Sequence, residues 1–502
     1  MAEEADTYTE DMGEQPPRFY SSAQVRELDR RAIQDYSIPA YTLMQRAAGA
    51  AWKLLRERWP KAKSIHIVAG RGNNGGDGYE IARLAKAAGI DARVWQIGAI
   101  GQGAVAEAAQ AWRSDGGATG DYSQNCLADA QVIVDSLLGI GATRPLDGAY
   151  AAAVKEINAR HAAGAGVLAI DVPSGLDAES GRVWGVAVRA DITATFIGRK
   201  LGLHTGAGPV CAGQIVLDGL GVPDAVFERV EPLADGLELP ELARCLPRRS
   251  RGAHKGNFGH VLVVGGDEGM GGAVLMAARA ALRVGSGLVS IATHPAHASA
   301  LVAAQPELMG HGVRNAKELA PMLKRATVIA LGPGLGMSDW SRELWAQVIA
   351  AEQPIVVDAD GLNWLAQNHQ QRDNWILTPH PGEAGRMLGT NSAEVQMNRL
   401  SAVASLQEKF GGVVALKGAG TLVRGKRLAV CAHGNPGMAV GGMGDVLTGV
   451  IAGLVAQGPQ LEDAARCGVL LHAIAGDRAA TVAERGLLPS DVIGALRHFA
   501  NP

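Results

Sequence analysis

The sequence is poor in aromatic residues and in cysteine, and both shortages exclude classes of protein. Phe, Trp and Tyr make up only 4% of the 502 residues, while glycine occurs 66 times. This balance is typical of an α/β protein whose short strands and helices are joined by tight glycine turns. The five cysteines are scattered without a CxxC pair: Cys126, Cys211, Cys245, Cys431 and Cys467. Such spacing argues against a structural zinc site and favours free thiols in a reducing compartment.

Long apolar runs and an excess of one charge are also missing. No uninterrupted apolar stretch approaches the ~20 residues that cross a bilayer, and the acidic N-terminus lacks the apolar core of a signal peptide. The formal net charge is −3, which offers no electrostatic attraction to nucleic acid or to an anionic membrane. We therefore expect a cytoplasmic protein that acts on small-molecule substrates and binds neither nucleic acid nor membrane.

The chain is long enough for more than one domain. Residues 1–19 carry six acidic residues and two adjacent prolines with almost nothing to bury, which predicts a disordered tail. Residues 20–225 and 248–502 each alternate short apolar runs with helical segments, as parallel sheets covered on both faces do. Prolines and acidic residues interrupt this order, so residues 226–247 are predicted to be a linker. The sequence thus predicts two α/β domains.

Two helices are predicted ahead of the first long strand. Ser21 and Gln24 have the spacing of a capping box, which begins a helix that Pro39 stops. A second helix over residues 41–58 carries apolar residues along one face. Because such a face needs something to pack against, we expect the chain to form a homo-oligomer.

A glycine-rich run follows the first long strand of the N-terminal half. In Gly70-Arg-Gly-Asn-Asn-Gly-Gly-Asp-Gly78 the glycines permit close approach of the backbone to a pyrophosphate. Asn73, Asn74 and Asp77 add oxygens and amides that can fix a ligand or hold a cation. The alternative is an Asn-Gly turn, without a ligand, that leads into a helix over residues 78–88.

Two further carboxylates stand at predicted strand ends. Asp135 precedes Ser-Leu-Leu-Gly-Ile-Gly141, and Asp171 precedes Val-Pro-Ser-Gly175. Either acid by itself could simply cap the next helix. Together with Asn74 and Ser174 they could supply an all-oxygen nest for a hard cation, and Asp171 could also act as an acid or a base.

The C-terminal half repeats the pattern of polar or glycine motifs at predicted strand ends. His380 lies in Thr-Pro-His-Pro-Gly-Glu383 with an acid three residues on, and this setting favours a ligand contact over a structural histidine. In the run Lys417-Gly-Ala-Gly-Thr421, the lysine amine and the backbone of the glycines could both contact phosphates. The alternative for Lys417 is a solvated side chain at a strand end.

The most informative run is Asn435-Pro-Gly-Met-Ala-Val-Gly-Gly-Met-Gly-Asp445, a turn that delivers one carboxylate to the start of a helix. Backbone N–H groups and the positive end of a helix bind anions, so a phosphoryl group is expected here. A carboxylate beside it can deprotonate a hydroxyl that attacks the phosphoryl group. A turn that only needs glycines is the alternative, but four glycines, a proline and one acid within eleven residues favour an anion site.

The motifs of the N-terminal half resemble a known family. Residues 20–225 are similar to the NAD(P)HX epimerase domain, a Rossmann-like three-layer α/β sandwich, through the runs GNNGGDG, VDSLLGIG and DVPSGLD. The resemblance implies interconversion of the R and S hydrates of NADH and NADPH, with Asp171 as the catalytic group. It implies potassium (K⁺) ligands at Asn74, Asp135 and Ser174. The residues implied to hold the hydrate are Asn73, Asn74, Gly75, Gly76, Asp77, Gly139, Ile140, Gly141, Ala142, Thr143, Arg144, Pro145 and Asp171.

The motifs of the C-terminal half resemble a second family. Within residues 248–502, the set of motifs from Lys255 to Gly449 is similar to the ADP-dependent NAD(P)HX dehydratase, a ribokinase-like α/β domain. The motifs KGxxGxVLVVGG, GPGLG, DADGLN, TPHPGE, KGxxT and NPGxAxxGxGD occur in the family's order. The resemblance implies dehydration of the S hydrate to NAD(P)H while ADP is consumed to AMP and phosphate, with Mg²⁺ on the phosphates and Asp445 as the base. The residues implied to contact the hydrate are Ala273, Gly334, His380 and Asp445. The residues implied to hold the nucleotide are Lys417, Gly418, Ala419, Gly420, Thr421 and Gly444.

Both halves converge on one substrate, so the sequence predicts a bifunctional metabolite-repair enzyme, an isomerase joined to a lyase. One alternative is a ribokinase-like small-molecule kinase fused to a nucleotide-binding accessory domain, which would leave a stable phosphorylated product. Another is a nucleotide-sensing or interaction module with degenerate sites. The residues alone leave open ADP or ATP as the phosphoryl donor, an iminium or a ring-opened epimerase intermediate, and whether intermediates pass between the two sites.

Overall fold

The computed structural model describes residues 16–142 and 144–501, which divide into two compact units. The N-terminal unit runs from Arg18 to Ala234, and the C-terminal unit begins at Asp235. The predicted two-domain α/β architecture is thereby confirmed. No helix of the described residues is both long enough and apolar enough to span a membrane.

The N-terminal unit is a parallel sheet with helices packed on it. Its strands are β1 Arg18–Tyr20, β2 Ser64–Ala69, β3 Asp91–Gln96, β4 Thr119–Asp121, β5 Val132–Ser136, β6 Gly166–Ile170, β7 Ile192–Phe196, β8 Arg199–Lys200 and β9 Gln214–Asp218. Its helices are α1 Ser22–Gln34, α2 Ala40–Arg58, α3 Asn73–Ala87, α4 Ala104–Ser114, α5 Gly148–Ala162 and α6 Gly208–Cys211. Seven strands form the sheet in the order β4-β3-β2-β5-β6-β7-β9, and every neighbouring pair is parallel.

This strand order creates a crevice at one place in the sheet. From β2 the chain moves outward to β3 and β4, then returns to the other side of β2 with β5. In parallel sheets ligands bind beyond the carboxyl ends of the strands at such a reversal. The glycine run at residues 70–78 follows β2, and Asp135 lies at the end of β5, so both predicted motifs flank the crevice.

Three sequence-based expectations for this unit need correction. The helix predicted over 78–88 begins at Asn73, because the first turn packs directly on the strand end, where a Cβ at Gly75 would lie 2.0 Å from the carbonyl oxygen of Gly70. The predicted disorder of residues 1–19 is wrong at Arg18 and Phe19, which belong to strand β1 and of which Phe19 is buried; residues 1–15 lie outside the described part. The apolar face of α2 packs within the unit's own core and therefore gives no reason for oligomerisation.

The C-terminal unit is a larger mixed sheet. Its strands are β10 Ala234–Gly236, β11 His260–Val264, β12 Leu288–Thr293, β13 Met309–Gly312, β14 Val328–Leu331, β15 Ile355–Val357, β16 Trp375–Leu377, β17 Val413–Leu416, β18 Thr421–Arg424 and β19 Leu428–Cys431. Its helices are α7 Leu239–Cys245, α8 Gly271–Arg283, α9 Ala298–Ala304, α10 Ala316–Leu323, α11 Asp339–Ile349, α12 Ala359–Gln367, α13 Pro381–Leu388, α14 Ser392–Met397, α15 Arg399–Phe410, α16 Met443–Val455, α17 Leu461–Ala480 and α18 Pro489–Phe499. The strands from β13 to β17 are parallel, in the order β13-β12-β11-β14-β15-β16-β17.

The segment predicted as a linker is largely structured. Residues 226–247 contain β10, whose Asp235 and Gly236 pair with β19, and helix α7. Leu242 of α7 is buried in the core of the C-terminal unit. The prolines that suggested a linker lie instead at element boundaries, as Pro240 does in the first turn of α7.

Helix α16, which carries Asp445, packs tightly against α8. At Gly449 an added Cβ would lie 1.9 Å from the carbonyl oxygen of Ala277. Gly449→Ala is therefore expected to destabilise the C-terminal unit by about 1–3 kcal/mol, measured as a lower midpoint of thermal unfolding. Gly494→Ala in α18 is the matched control, since a Cβ there would meet nothing within 4 Å, and it is expected to be neutral or slightly stabilising. Equal midpoints for the two variants would contradict this account of the contact.

Candidate active sites

Asp445 lies in the first turn of α16, at a helix start that no side chain caps. The N-cap residue, Gly442, has φ of 96°, a left-handed conformation that glycine adopts without strain. The N-cap residue makes no side-chain hydrogen bond to the first N–H groups of α16, and no other side chain of residues 16–142 and 144–501 is seen to accept from them, so these donors and the positive helix end stay available to an anion. Asp445 is partly exposed. The structure thus places the predicted carboxylate beside free backbone donors.

The surroundings of Asp445 disfavour its ionised form. Burial is the main cause, and the neighbouring carboxylate of Asp358 adds to it, while the ammonium of Lys417 opposes both. Together they raise the pKa of Asp445 to about 7. A carboxyl group with this pKa can take up and release a proton near neutral pH, as a general base must.

A buried ion pair borders this site. The Lys417 Nζ lies 2.5 Å from Asp358 Oδ1 and 3.7 Å from Glu383 Oε2. Burial by itself would lower the pKa of Lys417, but the two carboxylates outweigh it and raise that pKa. Lys417 in turn keeps the pKa of Asp358 low despite burial. Asp358 also accepts a 2.8 Å hydrogen bond from Thr448 Oγ1. Lys417, whose amine was predicted to contact phosphates, therefore contacts two carboxylates in the structure.

Gly444 brings the ion pair and the helix start together. A Cβ at Gly444 would lie 3.3 Å from both Asp358 Oδ2 and Lys417 Nζ. The residue before Asp445 thus leaves a space whose walls are one carboxylate and one ammonium. Of the residues predicted to hold the nucleotide, the structure brings Gly444 and Lys417 into this one place.

The remaining predicted nucleotide residues form the loop after β17. The guanidinium of Arg399 is fully buried and donates to the carbonyl oxygens of Leu416, Lys417 and Gly420, at 3.0, 3.2 and 3.4 Å. Gly418 and Ala419 are exposed, and Gly420 is buried. Arg399 thus turns the loop carbonyls inward, which sequence reasoning did not anticipate because Arg399 stands in helix α15, away from any glycine motif.

His380 has a structural role as well as a position at the site. Its Nδ1 accepts hydrogen bonds from the backbone of Gly382 and Glu383, at 2.9 and 3.3 Å, and so caps α13. The Glu383 carboxylate in turn accepts a 2.7 Å hydrogen bond from the backbone N–H of His380. Burial, together with nearby Lys417, lowers the pKa of His380. The ring is half exposed, so the face not used in capping is open to a ligand.

Ala273 and Gly334, both predicted to contact the hydrate, are neighbours. Gly334 has φ of 55°, and a Cβ there would lie 3.1 Å from the Ala273 Cβ and 2.7 Å from the Met270 carbonyl oxygen. Gly334 follows β14 and Ala273 lies in the first turn of α8, after β11. Because β11 and β14 flank the order reversal of this sheet, both residues line its crevice.

In the N-terminal unit Asp135 and Ser174 form one hydrogen-bonded group. Asp135 accepts from the backbone N–H of Ser174 at 2.8 Å and from its hydroxyl at 2.6 Å. Burial raises the pKa of Asp135 to about 6, although these bonds oppose the rise. The Ser174 hydroxyl also accepts from the N–H of Leu138 at 2.9 Å. Two of the three predicted potassium ligands therefore meet at the loop after β5.

Asn74, the third predicted potassium ligand, has an unsatisfied polar end. Its amide nitrogen is buried and finds no hydrogen-bond partner among the described residues. Its Oδ1 lies 3.5 Å from the position of a Cβ at Gly139. A cluster of three or more His, Cys, Asp or Glu side chains suited to a metal does not occur in the described chain. The donors present are amide, hydroxyl and carboxylate oxygens, a set that suits K⁺ better than a transition metal.

Asp171 stands in a strained backbone conformation. Its φ is 65°, which is uncommon for a residue with a side chain and is often found at functional sites. Lys200 Nζ lies 2.6 Å from Asp171 Oδ1, and Oδ2 lies 3.1 Å from the position of a Cβ at Gly139. The structure thus brings Asp171, Gly139 and Asn74 around one space. Thr143, also predicted to contact the hydrate, lies outside the described residues.

The other residues predicted to hold the hydrate surround the start of α3 and the loop after β5. In α3, Asn73 is exposed and the two glycines behind it are buried. Asp77 is buried, and its pKa is raised well above the usual range by burial and by the charges of Asp171 and Asp29. The loop residues are Gly139, Ile140, Gly141, Ala142, Arg144 and Pro145, of which Ala142 is buried and Gly141, Arg144 and Pro145 are exposed.

Sequence reasoning missed Lys200 and Asp358 as members of the two sites. Asp358 stands directly after β15 and was visible as a strand-end acid, but nothing in the chain connects it with Lys417, 59 residues away. Lys200 lies in a two-residue strand without a glycine motif. Only the fold brings these side chains to their partners.

Each half of the chain matches the model of a known protein family. Residues 40–202 match a family model described as YjeF-related protein N-terminus, and residues 261–497 match one described as NAD(P)H-hydrate dehydratase. A bifunctional NAD(P)H-hydrate repair enzyme Nnr from Coxiella burnetii is 48% identical over 489 residues, covering 96% of this chain and 99% of that protein. The enzyme of the same description from Escherichia coli K12 is 37% identical over 499 residues, covering 97% and 95%.

Solved structures resemble one half of the chain. A ribokinase-like superfamily protein from Enterococcus faecalis V583 is 29% identical and covers 53% of this chain and 94% of its own, with a TM-score of 0.49. The ADP/ATP-dependent NAD(P)H-hydrate dehydratase from Bacillus subtilis is 27% identical, covering 52% and 96%, with a TM-score of 0.47. The full-length matches and the order of the two family models decide the assignment: the chain belongs to the family of bifunctional NAD(P)H-hydrate repair enzymes, which join an epimerase and a dehydratase.

Proposed function

We propose that the C-terminal unit dehydrates the S hydrate of NADH or NADPH with consumption of ADP, and that the N-terminal unit interconverts the R and S hydrates. The observation that carries the proposal is Asp445, a carboxyl group with a pKa near neutrality at a helix start whose N–H groups are uncapped. This arrangement suits phosphoryl transfer to a hydroxyl, because one group accepts the proton while the donors stabilise the phosphoryl oxygens.

In the dehydratase half, Asp445 removes the proton from the substrate hydroxyl, whose oxygen then attacks the terminal phosphorus of ADP. AMP leaves, and the ring nitrogen of the phosphorylated hydrate expels phosphate; loss of a ring proton restores the dihydronicotinamide. The loop from Lys417 to Thr421, with Gly444, holds the nucleotide. Ala273, Gly334 and the open face of His380 border the hydrate. Mg²⁺ would accompany the nucleotide phosphates and offset their charge.

In the epimerase half, Asp171 assists loss and return of the hydroxyl at the hydrated ring carbon. The start of α3, residues 73–77, and the loop 139–145 hold the dinucleotide at the crevice of the sheet, where an uncapped helix start suits a pyrophosphate. K⁺ would be held by Asn74, Asp135 and Ser174 and would neutralise the carboxylate there. The oxygens that these three side chains offer, in amide, carboxylate and hydroxyl groups, support this assignment.

The test uses purified R and S hydrates with the full-length chain. Recovery of reduced nicotinamide absorbance is followed with ADP, with ATP and without nucleotide, and phosphate release is measured in parallel. We expect recovery with equimolar phosphate. A stable phosphorylated hydrate without recovered absorbance would favour the alternative of a small-molecule kinase. Cytoplasmic location and homo-oligomer formation stay predictions from the sequence; sedimentation of the purified chain checks the second.

Dehydration is expected to depend on pH through Asp445. Its pKa is raised to about 7 from a usual value of 3.8, so the ionised base is present above pH 7 and is lost as the pH falls through about 7. Asp358→Asn removes a charge that raises this pKa, so the acid limb of the profile should move to lower pH. Measuring kcat/KM between about pH 5 and about pH 9 checks both statements. An acid limb that does not move would contradict this origin of the raised pKa.

A further inference from the structure

A buried lysine lies directly against Asp171. The Lys200 side chain is only 1% exposed, and its Nζ lies 2.6 Å from Asp171 Oδ1. The same ammonium donates a 2.7 Å hydrogen bond to the carbonyl oxygen of Phe196, at the end of β7. A buried ammonium stays charged only where an anion and hydrogen-bond acceptors surround it. Lys200 is therefore fixed both to the scaffold and to one oxygen of Asp171.

The two oxygens of Asp171 have different surroundings. Oδ1 meets Lys200 and also accepts a long, 3.4 Å hydrogen bond from the Thr195 hydroxyl. Oδ2 lies 3.1 Å from the position that a Cβ at Gly139 would occupy, and Asn74 Oδ1 lies 3.5 Å from the same position. One oxygen is thus held, while the other borders the space that the glycine leaves open.

The backbone conformation of Asp171 also requires contacts that stabilise it. Its φ of 65° is unfavourable for a residue with a side chain. Its N–H donates a 2.7 Å bond to the carbonyl oxygen of Ala194, and its carboxylate ends on Lys200. The backbone bond and the ion pair together define where the free oxygen points.

Lys200 also offsets the charge of a carboxyl-rich neighbourhood. Burial raises the pKa of Asp29 to about 6, with Lys200 lowering it and Asp171 raising it. Burial, followed by the charges of Asp171 and Asp29, raises the pKa of Asp77. Without the ammonium, Asp171 would face the charges of Asp29 and Asp77 without the cation that now holds its Oδ1.

We propose that Lys200 is a positioning residue of the epimerase: its ammonium holds Asp171 by Oδ1 so that Oδ2 faces the substrate beside Gly139. The inference rests on the proposed epimerase function of this unit. A purely structural lysine would only stabilise the fold, whereas a positioning lysine controls turnover. The two roles therefore predict different effects on kcat and different responses to an added amine.

The test is made in full-length Asp445→Asn protein, so that dehydration does not consume the epimers. Purified R hydrate is incubated with each variant, and the S hydrate formed is measured by chromatography. Lys200→Met is expected to lower kcat on the order of 100-fold while KM changes little. Lys200→Arg should retain more activity than Lys200→Met, because it keeps a cation. Lys155→Met, an exposed lysine of α5, is the matched control and should epimerise like the parent protein.

Chemical rescue separates positioning from stability. Ethylammonium added to Lys200→Ala should restore part of kcat, whereas ethanol should not, since only a cation can replace the ion pair. Thermal midpoints of all variants are measured alongside. The proposal is overturned if Lys200→Met keeps the parental kcat, or if Lys200→Arg loses as much kcat as Lys200→Met and ethylammonium restores none of the kcat of Lys200→Ala. If the parent protein itself does not epimerise, the proposed function of the unit fails instead, and the two failures are distinguishable.

Discussion

Asp445→Asn is expected to reduce dehydration of the S hydrate by at least about 10³-fold while leaving nucleotide binding intact. Asparagine has nearly the same shape but cannot accept the hydroxyl proton, and the uncapped N–H groups of α16 that would hold the phosphates are backbone groups. The measurements are single-turnover recovery of reduced nicotinamide and calorimetric binding of ADP.

The control for Asp445→Asn is Asp339→Asn. Asp339 also stands in the first turn of a helix, but its side chain is 89% exposed at the surface, so the substitution should leave dehydration unchanged. Epimerisation of the Asp445→Asn protein should also proceed at the parental rate, which shows that the rest of the chain is folded. Substantial dehydration by the Asp445→Asn protein would remove this residue from the mechanism.

Asp171→Asn is expected to change the end point of repair rather than its initial rate. Dehydration of the S hydrate should proceed normally, but with epimerisation reduced on the order of 100-fold or more, the R hydrate should accumulate. A mixture of both hydrates would then recover only to the share of S present at the start. The measurement is the plateau of recovered absorbance, with chromatography of the remaining epimer.

Mixing the two variants provides a stringent control. Asp171→Asn protein supplies an intact dehydratase, and Asp445→Asn protein supplies an intact epimerase, so together they should convert the whole mixture. Failure of the mixture to pass the plateau would show that one substitution damages both activities. A full plateau with Asp171→Asn alone would instead exclude Asp171 from epimerisation.

The sequence pointed to Asp445 and Asp135 as candidate site residues because both stand in local motifs. Asp445 follows a glycine turn into a helix, and Asp135 lies at a strand end, so the hydrophobic pattern was enough to assign each of them to a strand end or helix start in its own unit. Local patterns were weaker guides to element boundaries. The helix expected at residue 78 begins at Asn73, because glycines that look like a turn can equally serve close packing of a first helical turn.

The partners of the motif residues were beyond prediction. Lys417 appeared as a phosphate ligand, yet its closest contact is Asp358, and Asp171 gave no hint of Lys200. Both contacts join side chains from separate strand ends, and one buried charge must find another wherever the fold brings it. The prediction of a linker over residues 226–247 failed for the same reason. Its prolines do not reveal that Leu242 packs in the core of the C-terminal unit.

By itself the sequence determined that this protein has two α/β halves, and it predicted that each carries acidic residues beside glycines at strand ends or helix starts. Strand and helix periodicity and short glycine motifs are properties of consecutive residues, so they can be read along the chain. Tertiary structure alone decided the ionisation of Asp445 and the direction of the Asp171 side chain. The pKa of Asp445 and the hold of Lys200 on Asp171 depend on burial and on charges distant in sequence, and those arise only when the strands assemble.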